Sequence, residues 1–164
     1  MEKYLPIIQD INKHLASFNK LLRSGLEIEP LDETLLADDN YYHSLIGKTW
    51  GQVRFPRNCG VGGVYFFFGS SVVNPNSHCL YIGKASLNST TGKRLWAHFK
   101  TAFDENGHVI KNGNSGERFR IVAITLLPFE LEELTCFAPA LEEYLIIQMS
   151  KECKYDLVNV RGNG

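Results

Sequence analysis

The sequence predicts an α+β domain, and three observations carry that prediction. After an opening helix, the patterned segments run strand, strand, helix, strand, helix. The composition is 44% hydrophobic and 12% aromatic, which fits a folded globular chain and argues against disorder. The longest apolar runs, Val64 to Phe68 and Ile121 to Leu127 (broken only by Thr125), are far too short to cross a bilayer. A chain of 164 residues allows one ordinary domain with a small appendage.

Residues 3–24 place Tyr4, Ile8, Ile11, Leu15, Phe18 and Leu22 at alternating steps of four and three, one apolar stripe on an amphipathic helix. Pro6 is tolerated only near its first turn, and Gly25 is its expected stop. The stripe either covers the core of its own domain or forms a seam with a second copy, which leaves a homodimer open. Residues 26–60 have little periodicity, and Asp38-Asp39-Asn40 reads as a loop or helix entry. Strand character begins in Gly63-Val64-Tyr65-Phe66-Phe67-Phe68 and returns in Cys79-Leu80-Tyr81-Ile82-Gly83, with the turn cluster Asn74-Pro75-Asn76-Ser77 between. These two strands read as a hairpin with a long connection. Thr91 to Phe103 reads as a helix with Leu95, His98, Phe99 and Ala102 on one side; Trp96 and Phe99 either pack in the core or wedge against bases. Residues 104–117 read as a loop, Phe119 to Leu127 as a strand, and Pro139 to Lys151 as a helix with Leu141, Leu145 and Met149 at four-residue spacing.

The net charge of −1 does not mark a nucleic-acid binder, but its distribution is uneven. Residues 84–120 carry Lys84, Lys93, Arg94, Lys100, Lys111, Arg118 and Arg120 against Asp104, Glu105 and Glu117, so this segment can face phosphates. The alternative is a solvated face with scattered lysines. Cys59, Cys79, Cys136 and Cys153 lack any Cys-x-x-Cys pair, which disfavours structural zinc; all four are expected reduced and mostly buried. Residues 1–25 lack the basic head, solid apolar block and cleavage site of a signal peptide, so a cytoplasmic protein without membrane contact is expected. The glycine-rich Cys59-Gly60-Val61-Gly62-Gly63 lacks the lysine and following helix of a phosphate loop.

Gly63-Val64-Tyr65 followed by Leu80-Tyr81-Ile82-Gly83-Lys84 resembles the paired signature of the GIY-YIG nuclease superfamily, with Val64 in place of the central isoleucine. Arg94 in Gly92-Lys93-Arg94-Leu95-Trp96-Ala97-His98, Glu142 in Ala140-Leu141-Glu142-Glu143-Tyr144-Leu145-Ile146, and Asn159 in Asp156-Leu157-Val158-Asn159-Val160 follow in the family's order. The resemblance implies a core of a small three-stranded antiparallel sheet flanked by helices over residues 61–164. Residues 1–60 would then be an N-terminal helical extension packed on that core. It also implies a metal-dependent endonuclease acting on DNA, most like the small stand-alone restriction enzymes.

The chemistry supports such a reading. Phosphodiester hydrolysis needs an activated water, a sink for charge on the phosphoryl oxygens and help for the leaving oxygen. Glu142 is a hard oxygen ligand for one Mg²⁺ or Mn²⁺ that keeps several waters. Glu142 rather than Glu143 is chosen because family members place the acid four residues before an apolar residue, here Ile146. Arg94 is permanently charged and fork-shaped, suited to the scissile phosphate. Tyr65 and Tyr81 lie on adjacent strands; one of them, by preference Tyr65, orients or deprotonates the attacking water. A free phenol has a pKa of about 10, so that role needs nearby cations such as Lys84, Arg94 or the metal. His98 lies one helical turn after Arg94 and shares its side; the resemblance assigns it a hydrogen bond to a catalytic tyrosine or a share in proton transfer. Asn159 orients groups or ties the chain end to the site, and Lys84 and Lys93 are the candidate phosphate contacts.

The expected substrate is double-stranded DNA cut at specific sequences. Residues 1–60 and the loops 70–78 and 104–117 would supply groove contacts, with Arg54, Arg57, Asn74, Asn76, Asn112 and Asn114 as candidate base readers. The alternatives are a structure-selective repair or recombination nuclease, and a nucleic-acid-binding module that has lost cleavage.

Overall fold

Strand β1, Gly63–Ser71, runs through the middle of the sheet and is buried along almost its whole length. The computed structural model describes residues 2–32, 60–86, 88–99, 103–104, 107–111, 117–152 and 154–159. β1 pairs antiparallel with β2 (Cys79–Ala85) in a register that sets Tyr65 opposite Gly83 and Phe67 opposite Tyr81. Its other edge pairs antiparallel with β5 (Arg118–Pro128), with a register shift at Phe68/Gly69. Gly69 is required at that shift, because a Cβ there would sit 1.9 Å from the Arg120 carbonyl oxygen.

The three strands expected from patterning thus form the antiparallel centre of the sheet, but they are not all of it. Among the described residues the sheet has six strands in the order β3-β4-β5-β1-β2-β6. β3 (Phe103–Asp104) and β4 (Gly107–Lys111) form a hairpin, and β4 pairs with β5 through Val109↔Arg120 and Lys111↔Arg118. β6 (Asp156–Leu157) runs parallel to β2. The sheet is therefore mixed, and the expected loop over 104–117 contains strand β4. Segments this short show no alternation of their own; β4 and β6 are strands because the edges of β5 and β2 offer unpaired backbone groups to them, and β3 because β4 then does the same. Residues 112–116 lie outside the described residues.

Each face of the sheet carries its own core. Val64, Phe66, Phe68, Leu80 and Ile82 point to one face, against helix α1 (Leu5–Asn19) and helix α4 (Ala138–Glu152). Tyr65, Phe67, Cys79, Phe119, Ile121 and Ile124 point to the other, against Leu95 of helix α2 (Thr91–Phe99). A short helix α3, Glu132–Thr135, which the sequence pattern did not suggest, links β5 to α4.

Helix α1 stops at Asn19, before the last stripe residue Leu22. The chain then doubles back along the helix. The Asn19 side chain brackets the backbone of Ile28, donating to its carbonyl at 2.9 Å and accepting from its N–H at 3.0 Å. Asn12, two turns earlier, does the same for Leu31, at 3.0 and 2.7 Å. Gly25, with φ of +88°, makes the reversal. Among residues 1–60, Tyr4, Ile7, Ile8, Ile11, Leu15, Phe18, Ile28 and Leu31 all belong to the main apolar cluster, so the stripe that offered a dimer seam is buried in the chain's own core. Residues 33–59 lie outside the described residues. No helix among the described residues is long and apolar enough to cross a membrane. Cys79 is buried as expected, whereas Cys136 is exposed on the α3–α4 junction; Cys59 and Cys153 lie outside the described residues.

Because Ile11 is fully buried between α1 and the sheet, truncating it to alanine should lower stability by about 2–5 kcal/mol. Denaturant unfolding of Ile11→Ala, followed by both far-UV and tryptophan signals, should show one shifted transition. A separate early transition that leaves the rest unmoved would mean that α1 folds independently of the sheet.

Candidate active site

The register of β1 on β2 brings the two tyrosines to one face. Tyr65, Phe67 and Tyr81 form a run of packed rings, with centroids 5.3 Å apart for Tyr65–Phe67, 5.4 Å for Phe67–Tyr81 and 6.2 Å for Tyr65–Tyr81. The Tyr65 ring lies across Gly83: a Cβ at that glycine would be 2.3 Å from its Cζ and 2.5 Å from its hydroxyl oxygen. The glycine of Tyr81-Ile82-Gly83 is thus the space in which the other tyrosine rests.

Helix α2 supplies the polar partners. Thr90 caps its start, its Oγ1 accepting from the Lys93 N–H at 3.2 Å. Thr91 ties the first turn to Val61 through its own N–H at 2.9 Å. Leu95 anchors the buried side. Arg94 and His98, one turn apart, therefore project along one edge of the helix. His98 meets all three rings nearly edge-on, with centroid distances of 5.7 Å to Tyr65, 5.4 Å to Phe67 and 5.3 Å to Tyr81. Its Nε2 lies 2.9 Å from the Tyr65 hydroxyl. Arg94 is exposed, within hydrogen-bonding reach of Tyr65, and its charge is felt at Tyr81, His98 and Glu142 as well.

Glu142 projects from α4 and is 5% exposed, while Glu143 is exposed to solvent. Lys84, beside Gly83 but turned to the opposite face of β2, donates to Glu142 Oε2 at 2.7 Å. Asn159 is buried and tied to the backbone of Ile82, accepting from its N–H at 3.1 Å and donating to its carbonyl. The Asn159 side chain thereby continues the β6–β2 ladder and fixes the stretch of β2 that carries Tyr81 and Gly83. Of the two roles open to Asn159, the structure displays the tie.

The electrostatics follow from burial. Tyr65 is 0% exposed, and desolvation raises its phenol well above the ordinary value, with Tyr81 adding to the shift and Arg94 opposing it. Burial also raises Tyr81, less strongly, against the Tyr65 hydrogen bond and Arg94. Burial and then Arg94 push His98 down to about 4. Burial raises the Glu142 carboxyl, and Lys84 and Arg94 oppose the rise. At neutral pH both phenols keep their protons and the imidazole is neutral, ready to accept a hydrogen bond from Tyr65.

A divalent cation fits the donors at Glu142. One carboxylate oxygen accepts from Lys84, and no other hydrogen bond to Glu142 is made among the described residues, so Lys84 is the group that a cation at this carboxylate would have to share it with or displace. No group of three His, Cys, Asp or Glu is found among the described residues, as an all-protein cage would need. A Mg²⁺ that keeps its waters and shares a substrate phosphate requires only one or two carboxylates.

The structure thus gathers Tyr65, Tyr81, Arg94, His98, Glu142 and Lys84, and holds Asn159 in support. Lys93 is exposed on α2 and is not brought to the cluster. Asn74 and Asn76 are exposed in the β1–β2 connection, whereas Arg54, Arg57, Asn112 and Asn114 lie outside the described residues. Sequence reasoning missed Phe67, the middle ring of the run, although its spacing of two from Tyr65 marks it for the same face. Trp96 is half-buried on α2; the placement of the Phe99 side chain lies outside the described residues.

Because the folded His98 binds its proton only near pH 4, the folded state takes up fewer protons than the unfolded chain between about pH 6.5 and 4. Stability should be full above pH 6.5 and fall through this window, by about 3 kcal/mol from this group alone. Urea unfolding of wild type and His98→Gln across that range should show a smaller loss in the variant; parallel curves would place the imidazole in a solvated setting. Comparison with protein-family models, with curated proteins and with solved structures returned no match to the chain.

Proposed function

We propose that the chain is a metal-dependent endonuclease of GIY-YIG type that hydrolyses phosphodiester bonds of double-stranded DNA at specific sequences. The observation that carries this reading is the hydrogen bond between Tyr65 and a neutral His98 within the field of Arg94, beside the buried Glu142. The Tyr65–His98 bond by itself satisfies a buried phenol; the guanidinium beside it is what a structural role does not need. Packing alone would be served by apolar side chains, whereas here a guanidinium stands where it lowers the basicity of the imidazole and the phenol pKa values at once.

Each group has a task in hydrolysis. Arg94 holds the scissile phosphate through its planar fork and faces the negative charge that grows on the phosphoryl oxygens. Tyr65 orients the attacking water, and as it takes a proton from that water its own hydroxyl proton passes to His98 Nε2, 2.9 Å away. A phosphate in the site offsets Arg94 and makes the imidazole a better acceptor. Tyr81 is the less buried phenol and supplies a second hydroxyl to the water or phosphate. Glu142 would hold the cation, and one Mg²⁺ or Mn²⁺ bound there would supply Lewis-acid polarisation of the phosphoryl group and charge neutralisation for the leaving oxygen. Asn159 keeps β2 in register beneath Tyr81.

The test is incubation of the protein with long duplex DNA in Mg²⁺, with EDTA and Glu142→Ala protein as controls. Discrete fragments that vanish in both controls are expected. A uniform smear would remove sequence specificity from the proposal, and intact linear and branched DNA in both Mg²⁺ and Mn²⁺ would refute cleavage.

A further inference from the structure

The pairing of Lys84 with Glu142 has a consequence for the order in which this site fills. The ammonium lies 2.7 Å from Oε2, and the pair is largely withdrawn from solvent, with side-chain exposures of 24% for Lys84 and 7% for Glu142. Glu142 is the carboxylate of the site, and Arg94 also acts on it. One positive charge therefore already sits on the single carboxylate, and a second acts on it. A hard cation binds a carboxylate oxygen at about 2.0–2.1 Å. With the lysine in place, such an ion and the ammonium would crowd the same carboxyl group, and the local charge would become strongly positive in a poorly solvated pocket.

The balance changes when a phosphate backbone arrives. Lys84 is a compact point charge on a flexible four-carbon stem, so it can move from the carboxylate to a phosphate oxygen without moving the strand that carries it. Arg94 is compensated by the same phosphate. Glu142 is then left with an uncovered oxygen pair beside new negative charge, which is the setting a divalent cation needs. We propose that Lys84 is a latch on the metal ligand, closed in the free protein and opened by DNA phosphate, so that DNA binds before metal. This inference rests on the nuclease reading and adds the regulation of its site.

The test is Mn²⁺ binding to DNA-free protein, read from the electron paramagnetic resonance signal of unbound Mn²⁺. Wild type should bind weakly. Lys84→Met should bind about tenfold tighter or more, and adding Glu142→Gln to that variant should abolish the gain. Lys84→Gln, which keeps a hydrogen-bond donor on a shorter, uncharged side chain, should show the same gain and serves if Lys84→Met does not fold. Equal Mn²⁺ affinity in wild type and the folded Lys84 variants would overturn the latch, as would a gain that survives Glu142→Gln. Cleavage has no part in this readout. A protein that cuts DNA but shows no gain refutes the latch alone, and one that shows the gain but never cuts refutes the nuclease reading alone.

Discussion

Strand β1 is buried on both faces, and the rest of the molecule is arranged around that constraint. A strand flanked on each edge and covered on each face must satisfy two different sets of neighbours with alternate residues. Val64, Phe66 and Phe68 meet this demand with a wholly apolar face, covered by α1 and α4. Tyr65 and Phe67 meet it on the other side with rings packed against α2. The price of placing a phenol in that second core is a hydroxyl that needs a partner, and His98 is that partner. A core position thereby becomes a polar centre without any break in the packing.

The low polarity around this centre sets its resting charge. Burial holds Tyr65 and Tyr81 protonated and His98 neutral, so among the described residues the full charges acting on the rings are Arg94 at the rim and the Lys84–Glu142 pair across β2. That balance is what the proposed reading uses, since the negative charge of a phosphate diester would meet Arg94 there. Asn159 belongs to the same design: its side chain replaces a backbone rung and fixes the short stretch of β2 between Tyr81 and Gly83.

Much of this was legible in the sequence, for identifiable reasons. The central strands and the last helix announce themselves because their burial is long enough to impose a period on the residues. Tyr65, Tyr81, Arg94, His98 and Glu142 were legible as an ordered set of chemically distinct residues, whereas only the structure shows that Glu142 points inward and Glu143 to solvent, which helix periodicity left open. Strands β3, β4 and β6 were not legible, because two to five residues cannot show alternation and their state depends on a neighbour's edge. The early end of α1 depends on Asn12 and Asn19 gripping a returning chain, a contact between residues that look merely polar in sequence. The reason for Gly83 appears only when the Tyr65 ring is seen lying across it.

The central claim is that Arg94 is held at this cluster for chemistry and not for packing. The direct measurement compares single-turnover DNA cleavage and thermal unfolding for wild type and Arg94→Ala. Arg94 is exposed, so the account predicts a stability change within about 0.5 kcal/mol beside a rate loss of about 10²–10³-fold. An Arg94→Ala protein that cleaves at the wild-type rate, or whose activity falls only as far as its folded fraction, would contradict it.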